Sequence, residues 1–298
     1  MSSAACLWTS PTSSSTRGSV VTERGPFRHH GIQVGGALVA LFVGAALLAP
    51  WLAPFDPHEV PTGLAAASLR PPGPPNALGT DALGRDLLSR VLYGGRVSLL
   101  VGVGVELVAA LIGALVGLVA GYYGGWLDGL LMRVTDTVMA FPSLILAIGL
   151  IAVFEKPGLD KVFLVLVLLG WTTIARVVRG EVLSLKTRDY VQAARALGVP
   201  DTIIVFRHLL PNCLAPLLVA ATIGVGGNMV AEAGLSFLGL GAQAPTISWG
   251  AMLAEGQTFL ASASWVAVFP GLALMLAVLG INLLGDGLRD MLDPRLKR

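Results

Sequence analysis

Residues 97–120 read VSLLVGVGVELVAALIGALVGLVA, an unbroken apolar run whose single charged residue is Glu106. The run is long enough to cross a bilayer, which takes roughly 20 residues of helix. One similar run precedes it, from Ile32 to about Phe55, and four follow, at 137–154, 162–178, 214–239 and 265–284. In lipid every backbone N–H and C=O must be paired internally, so each run is expected as a helix, six in all. The alternating pattern of a membrane β-barrel is absent, and the fold class is an all-α membrane protein. Composition agrees. Hydrophobic residues make up 54% of the 298, and the 37 glycines lift the apolar share to about two-thirds, against roughly 45–50% in an average soluble domain. At 13% charged residues the chain lacks the side chains to solvate a soluble surface, which excludes a soluble enzyme and a disordered protein. A net charge of +2 provides no basic field, so nucleic acid is not a partner.

Five sections follow from this pattern: a polar tail over 1–31, a first span over 32–55, an outer loop over 56–96, a five-helix core over 97–284 and a short tail over 285–298. The first apolar run exceeds the 7–15 residues of a signal-peptide core and reads as an uncleaved span. With the N-terminus in the cytoplasm, the inner segments hold thirteen Lys and Arg. The outer ones hold six: Arg70, Arg85, Arg90, Arg96, Lys156 and Lys161. That bias places both termini inside. Cys6 and Cys213 lie far apart and do not make a disulfide framework. The four histidines show no metal-ligand spacing, and no metal site is expected.

Two segments outside the spans carry pattern. The outer loop opens on Pro71, Pro72, Pro74 and Pro75. From Asp81 it reads as an amphipathic helix, with Leu83, Leu87, Leu88, Val91 and Leu92 on one face and Arg85, Asp86 and Arg90 on the other. The inner segment, EVLSLKTRDYVQAARALGVPDTIIVFRHLLPN over 181–212, reads as a helical hairpin. Asp189 and Gln192 form a capping-box arrangement. Gly198 is placed for a left-handed cap, and Pro200 stops the first helix. Asp201 then caps a second helix to Leu210, and Pro211 marks the return to the membrane. Ala193, Ala194 and Ala196 give the first helix a small face that suits docking in a partner's groove.

This segment resembles the EAA loop of ABC-transporter permeases. Ala193 and Ala194, Gly198, His208, Leu210 and Pro211 stand at that loop's spacing. The likeness extends over nearly the whole chain: GTDALGRD (79–86), SRVLYGGRVSL (89–99), AGYYGG (120–125), RVVRGEVLSLK (176–186), AEAGLSFLGLG (231–241), SWGAML (248–253) and NLLGDGLRDMLDPR (282–295). All resemble the dipeptide/oligopeptide/nickel permease family, in its second-permease branch. The chain departs from that family where Gln192 replaces the loop's usual Glu, where Asn76-Ala77 replaces His-Pro, and where Ile247 replaces a proline.

The resemblance implies a type I ABC importer fold and a non-catalytic permease subunit in a bacterial or archaeal inner membrane. Implied partners are a sister permease, two ATP-binding subunits that hold the ATP and Mg, and an external substrate-binding protein. Coupling to the ATPases would fall on Asp189, Tyr190, Gln192, Ala193, Ala194, Ala196, Leu197, Gly198, His208, Leu210 and Pro211. Peptides are the family's main substrate; nickel, glutathione-like peptides and oligosaccharides use relatives. Asp81, Arg85 and Asp86 belong to the external loop. Glu232, with Ser236 and Asn228, stands for the translocation path or gate; the other reading of Glu232 is a hydrogen bond that holds the turn from Gly234 to Gly241. Glu106 is either a paired or protonated structural carboxylate or a proton relay. No GxxxxGK[ST] loop occurs, so this chain is expected to bind no nucleotide of its own. A secondary transporter would need internal symmetry between its halves, and none is seen.

Overall fold

The computed structural model describes residues 27–61 and 68–292. Most of the expected polar tail, with Cys6, lies outside the described residues, as do Arg295, Lys297 and Arg298. The described residues are helical without a strand, apart from two isolated bridges in the loop. In order the helices are α1 (Phe27–Leu47), α2 (Ala49–Leu52), α3 (Leu87–Tyr123), α4 (Gly125–Met139), α5 (Ser143–Ile151) and α6 (Leu159–Leu185). Then come α7 (Asp189–Ala196), α8 (Asp201–Ile203), a π turn (Ile204–Leu209), α9 (Leu210–Phe237), α10 (Trp249–Gly256) and α11 (Trp265–Leu292). Four rods are long and apolar enough to cross a membrane: α3, α6, the continuous stretch Asp201–Phe237, and α11.

The six expected crossings are not six equal helices. The apolar part of α1, Gly31–Leu47, is shorter than a full span. The run at 137–154 is broken: α4 and α5 meet at 86°. Pro142 is the cause. It has no N–H to continue the helix, and its ring pushes Phe141 away from helical geometry.

Helix α3 is the centre of the bundle and packs on α6, α9 and α1. Its side chains are sorted by size. Leu100, Leu107 and Leu111 point outward, while Gly102, Ala109, Gly113 and Gly117 are buried. Between apolar helices in apolar solvent, association comes from close backbone packing, and small residues permit it. At Gly117 an added Cβ would lie 2.6 Å from the Ala175 carbonyl oxygen, and at Gly121 2.8 Å from the Val182 side chain. Gly125, by contrast, faces open space, and an added Cβ at Gly124 would meet only the Lys186 Nζ, at 3.9 Å; neither takes part in this packing.

Gly117→Ala is therefore expected to destabilise, by about 1–2 kcal/mol net of the helix propensity that alanine adds. Gly129→Ala, in α4 with nothing within 4 Å of the new carbon, is expected to be neutral or stabilising. Thermal melting of the purified protein in detergent checks this. Equal effects at the two positions would mean that the α3–α6 contact is loose.

Candidate functional site

At the end of the bundle where α3 and α6 finish, the chain turns twice and forms a compact hairpin. Helix α7 closes on Gly198 at φ +74°, in left-handed geometry. The Gly198 N–H donates to the Arg195 carbonyl and that of Val199 to Ala194, at 3.0 and 3.1 Å, the two bonds of a Schellman closure. Pro200 then leads into α8.

Three sequence expectations are corrected here. Asp189 is the first residue of α7 and not its cap, which falls at Arg188 without a side-chain bond. Helix α6 runs on to Leu185, so its last carbonyls lie close to α7, and the Gln192 amide donates to the Lys186 carbonyl at 2.7 Å. Asp201 does not cap α8 either; its carboxylate accepts the Tyr122 hydroxyl at 2.5 Å. Pro211 ends no helix. It lies in the first turn of α9, where a missing N–H costs little. The preceding π turn has already shifted the bonding, with the Leu210 N–H reaching back to Val205, and the Asn212 amide donates to the His208 carbonyl at 2.6 Å.

One face of the hairpin is core. Val191, Ala194, Ile204, Val205, Leu209 and Cys213 pack with Leu118 and Tyr122 of α3 and with Ile174, Val178 and Val182 of α6. Of the alanines expected to form one small docking face, Ala194 is thus turned inward, while Ala193 and Ala196 are exposed. Beside them the outer face shows Tyr190, Gln192, Leu197 (83% exposed), Gly198, Ile203 and Phe206. Pro211 is exposed, and His208 and Leu210 are half-buried. Tyr122 was not singled out by sequence, yet it ties the hairpin together: its hydroxyl holds Asp201, and the Arg195 guanidinium lies 4.6 Å over its ring. The string AGYYGG contains it but carries no local sign of either partner.

Midway along the bundle, α3, α4, α5, α6 and α9 border a half-open cavity of about 760 Å³. Glu106 and Asn228 line it, and the Asn228 amide donates to Glu106 Oε2 at 2.9 Å. Glu232 and Ser236 are not in that lining. Glu232 is fully buried, accepting the hydroxyls of Ser236 at 2.7 Å and Ser98 at 3.2 Å. Ser236 Oγ in turn accepts the Ala242 N–H at 3.0 Å, and Ser98 Oγ that of Trp249 at 3.3 Å. This carboxylate pins the turn after α9 and the start of α10 to α3, so it serves as a hydrogen-bond hub for the turn.

At the opposite end, the outer loop departs from its sequence reading. Residues 81–86 are not helical. Asp81 Oδ1 accepts the N–H groups of Leu83 and Arg85, both at 2.9 Å, which folds the chain into a turn before a helix can start. The helix begins at Leu87, where Asp86 caps it by accepting the Ser89 N–H at 2.8 Å. The polar face expected to meet water is largely buried: Asp81, Asp86 and Arg90 are 1%, 3% and 2% exposed. Arg90 bridges Asp81 to Glu255 of α10, with Nη1 2.7 Å from Oε2 and Nη2 3.1 Å from Oε1, and Arg85 joins the same two carboxylates. Asn76, which stands where the resembling family has His, donates to Asp86 at 2.9 Å.

Two family models match the chain. The "binding-protein-dependent transport system inner membrane component" covers residues 113–298, and the "N-terminal TM domain of oligopeptide transport permease C" covers 27–72. The chain is 46% identical over 277 residues to a dipeptide transport system permease protein of Escherichia coli K12, covering 91% of each. A di/tripeptide transport system permease protein of Pseudomonas aeruginosa is 42% identical over 280 residues, 91% of this chain and 90% of that one. A dipeptide transport system permease protein of Alkalihalophilus pseudofirmus is 42% identical over 264 residues, 89% and 86% of the two chains.

Proposed function

The chain belongs to the family of binding-protein-dependent transport system inner membrane components, and from that premise we propose that it imports short peptides as one of two paired permeases. A sister permease completes the pathway, two ATP-binding subunits dock on the hairpin, and an external binding protein delivers the peptide to the outer loop. Both termini face the cytoplasm. The chain itself performs no bond chemistry; ATP and Mg belong to the docked subunits.

The observation that carries this reading is the division of the hairpin into two faces. Its outer face offers Ala193, Ala196, Leu197 and Phe206 to a partner, while its inner face shares one core with α3, α6 and α9. Such packing transmits displacement, because close-packed interiors deform little. A push on Leu197 therefore moves the ends of three long helices together. All three helices also wall the cavity, and α3 and α9 carry its Glu106–Asn228 pair, so closure of the ATPases is felt along the path.

A photo-crosslinking residue at position 197 tests the docking. In a complex that takes up labelled dipeptide, it should capture an ATP-binding subunit, and the same residue at position 100, on the outward face of α3, should not. A transporting complex with no such adduct at 197 would sink the assignment. Orientation has its own check. Pro75→Cys should react with an impermeant thiol reagent from outside, and Thr187→Cys only after permeabilisation; the reverse pattern would invert the topology.

A further inference from the structure

We propose that Glu106, steadied by Asn228, receives a primary ammonium group in the cavity, namely the N-terminus of the transported peptide. This rests on the peptide-permease reading above and names the contact within it. Glu106 is the one ionisable side chain among the described residues that line the cavity. The rest of the cavity lining is mostly apolar, with Leu166, Leu169, Ile223 and Ala231 among it, and Thr172 and Thr173 add hydroxyls. A carboxylate in such surroundings calls for a cation. The guanidinium groups further along α6 are committed elsewhere, Arg176 to Asp136 at 2.5 Å and Arg179 to Asp128 at 2.5 and 2.7 Å. Asn228 supplies one neutral donor to Oε2, which orients the group without neutralising it.

The site is also shaped for the carboxylate. Gly224 lies directly beside it, and an added Cβ there would overlap its oxygens. A volume of about 760 Å³ falls within the roughly 300–1,000 Å³ of small-ligand sites. The mostly apolar wall accepts varied side chains, so recognition falls on features shared by all free peptides, and of these the terminal ammonium is the one whose charge is opposite to that of Glu106.

The test places a thiol in the cavity. Gly227 lines it and has nothing within 4 Å of a new Cβ, so Gly227→Cys should fold. Cys6 is replaced by Ser, and Cys213 is buried and kept. A cationic thiol reagent should modify the Gly227→Cys protein at least about tenfold faster than an anionic reagent of the same size, since an apolar cleft focuses the field of its one charge. Glu106→Gln should bring the two rates together. In the assembled, transporting complex, a free dipeptide should slow modification and its N-acetylated form should not, and Glu106→Gln should abolish the difference. A rate ratio unchanged by Glu106→Gln overturns the proposal, as does equal protection by the two peptides, or protection by neither. The charge arm needs neither ATP nor partners, and dipeptide uptake by the parent complex reports separately on the permease reading.

Discussion

Arg90→Met is expected to cost about 3–5 kcal/mol, the range for removing one partner of a buried ion pair. The charge left behind is Asp81, 1% exposed. Arg85 remains beside it and also reaches both carboxylates, but of the two guanidinium groups only that of Arg90 is buried, its side chain 3% exposed against 17% for Arg85. Glu255, with a side chain 44% exposed, is screened by water and adds little to the sum. Arg90→Lys should recover only part of the loss, because an ammonium cannot reproduce the planar fork. The double change Arg90→Met with Asp81→Asn should recover more, since Asn keeps the Oδ1 that accepts the Leu83 and Arg85 N–H groups and removes the stranded charge. Melting in detergent measures all three. If Arg90→Met melts with the parent protein, the network is decoration on a loop held by other bonds.

Gly198→Val is expected to abolish transport while membrane levels stay near normal. At φ +74° a β-branched residue costs on the order of 1–2 kcal/mol or more in backbone strain. No steric clash confuses the result, because the space beside Gly198 is open. Relief comes by unwinding the Schellman closure, which swings Leu197 and Ala196 away from their docking direction. The spans keep every apolar residue and insert as before. The complex should then assemble poorly with its ATPases or hydrolyse ATP without uptake. Gly198→Asn, which visits this geometry readily, should be far milder. Wild-type transport by Gly198→Val would make the hairpin a passive linker.

Local signals were legible where the physics is local. Gly198 and Pro200 marked the hairpin's turn because only a glycine closes a helix cheaply in that geometry, and the turn is where they placed it. The apolar runs located the helices because lipid imposes one rule on every residue. The misreadings share another origin. Arg85, Asp86 and Arg90 looked solvated because helical periodicity put them on one face, but Glu255, the partner of the two arginines, lies 165 positions from Arg90 and leaves no trace nearby. Asp189 and Gln192 matched a cap template, yet Gln192 went to Lys186 because α6 runs on almost to α7. Pro142 is a local sign of the break in the third run, one that a count of apolar residues does not register. Glu106 and Asn228 were each visible alone; only folding brings them together, across 122 positions.

Between the hairpin and the cavity stands the π turn at Ile204–Leu209, and it sets a phase. A π turn holds one residue more than the α turn it replaces, and each residue of an α-helix advances the azimuth by about 100°. The bearing of the hairpin's outer face relative to the cavity face of α9 is therefore an angular offset fixed by one extra residue. Deleting any single residue from that turn would leave Ile203 and Asn228 chemically intact and still joined by one rod. It would nonetheless rotate one against the other by more than a quarter revolution, as when a shaft is re-keyed on the wrong tooth. Length in this stretch is thus under a stricter constraint than side-chain identity.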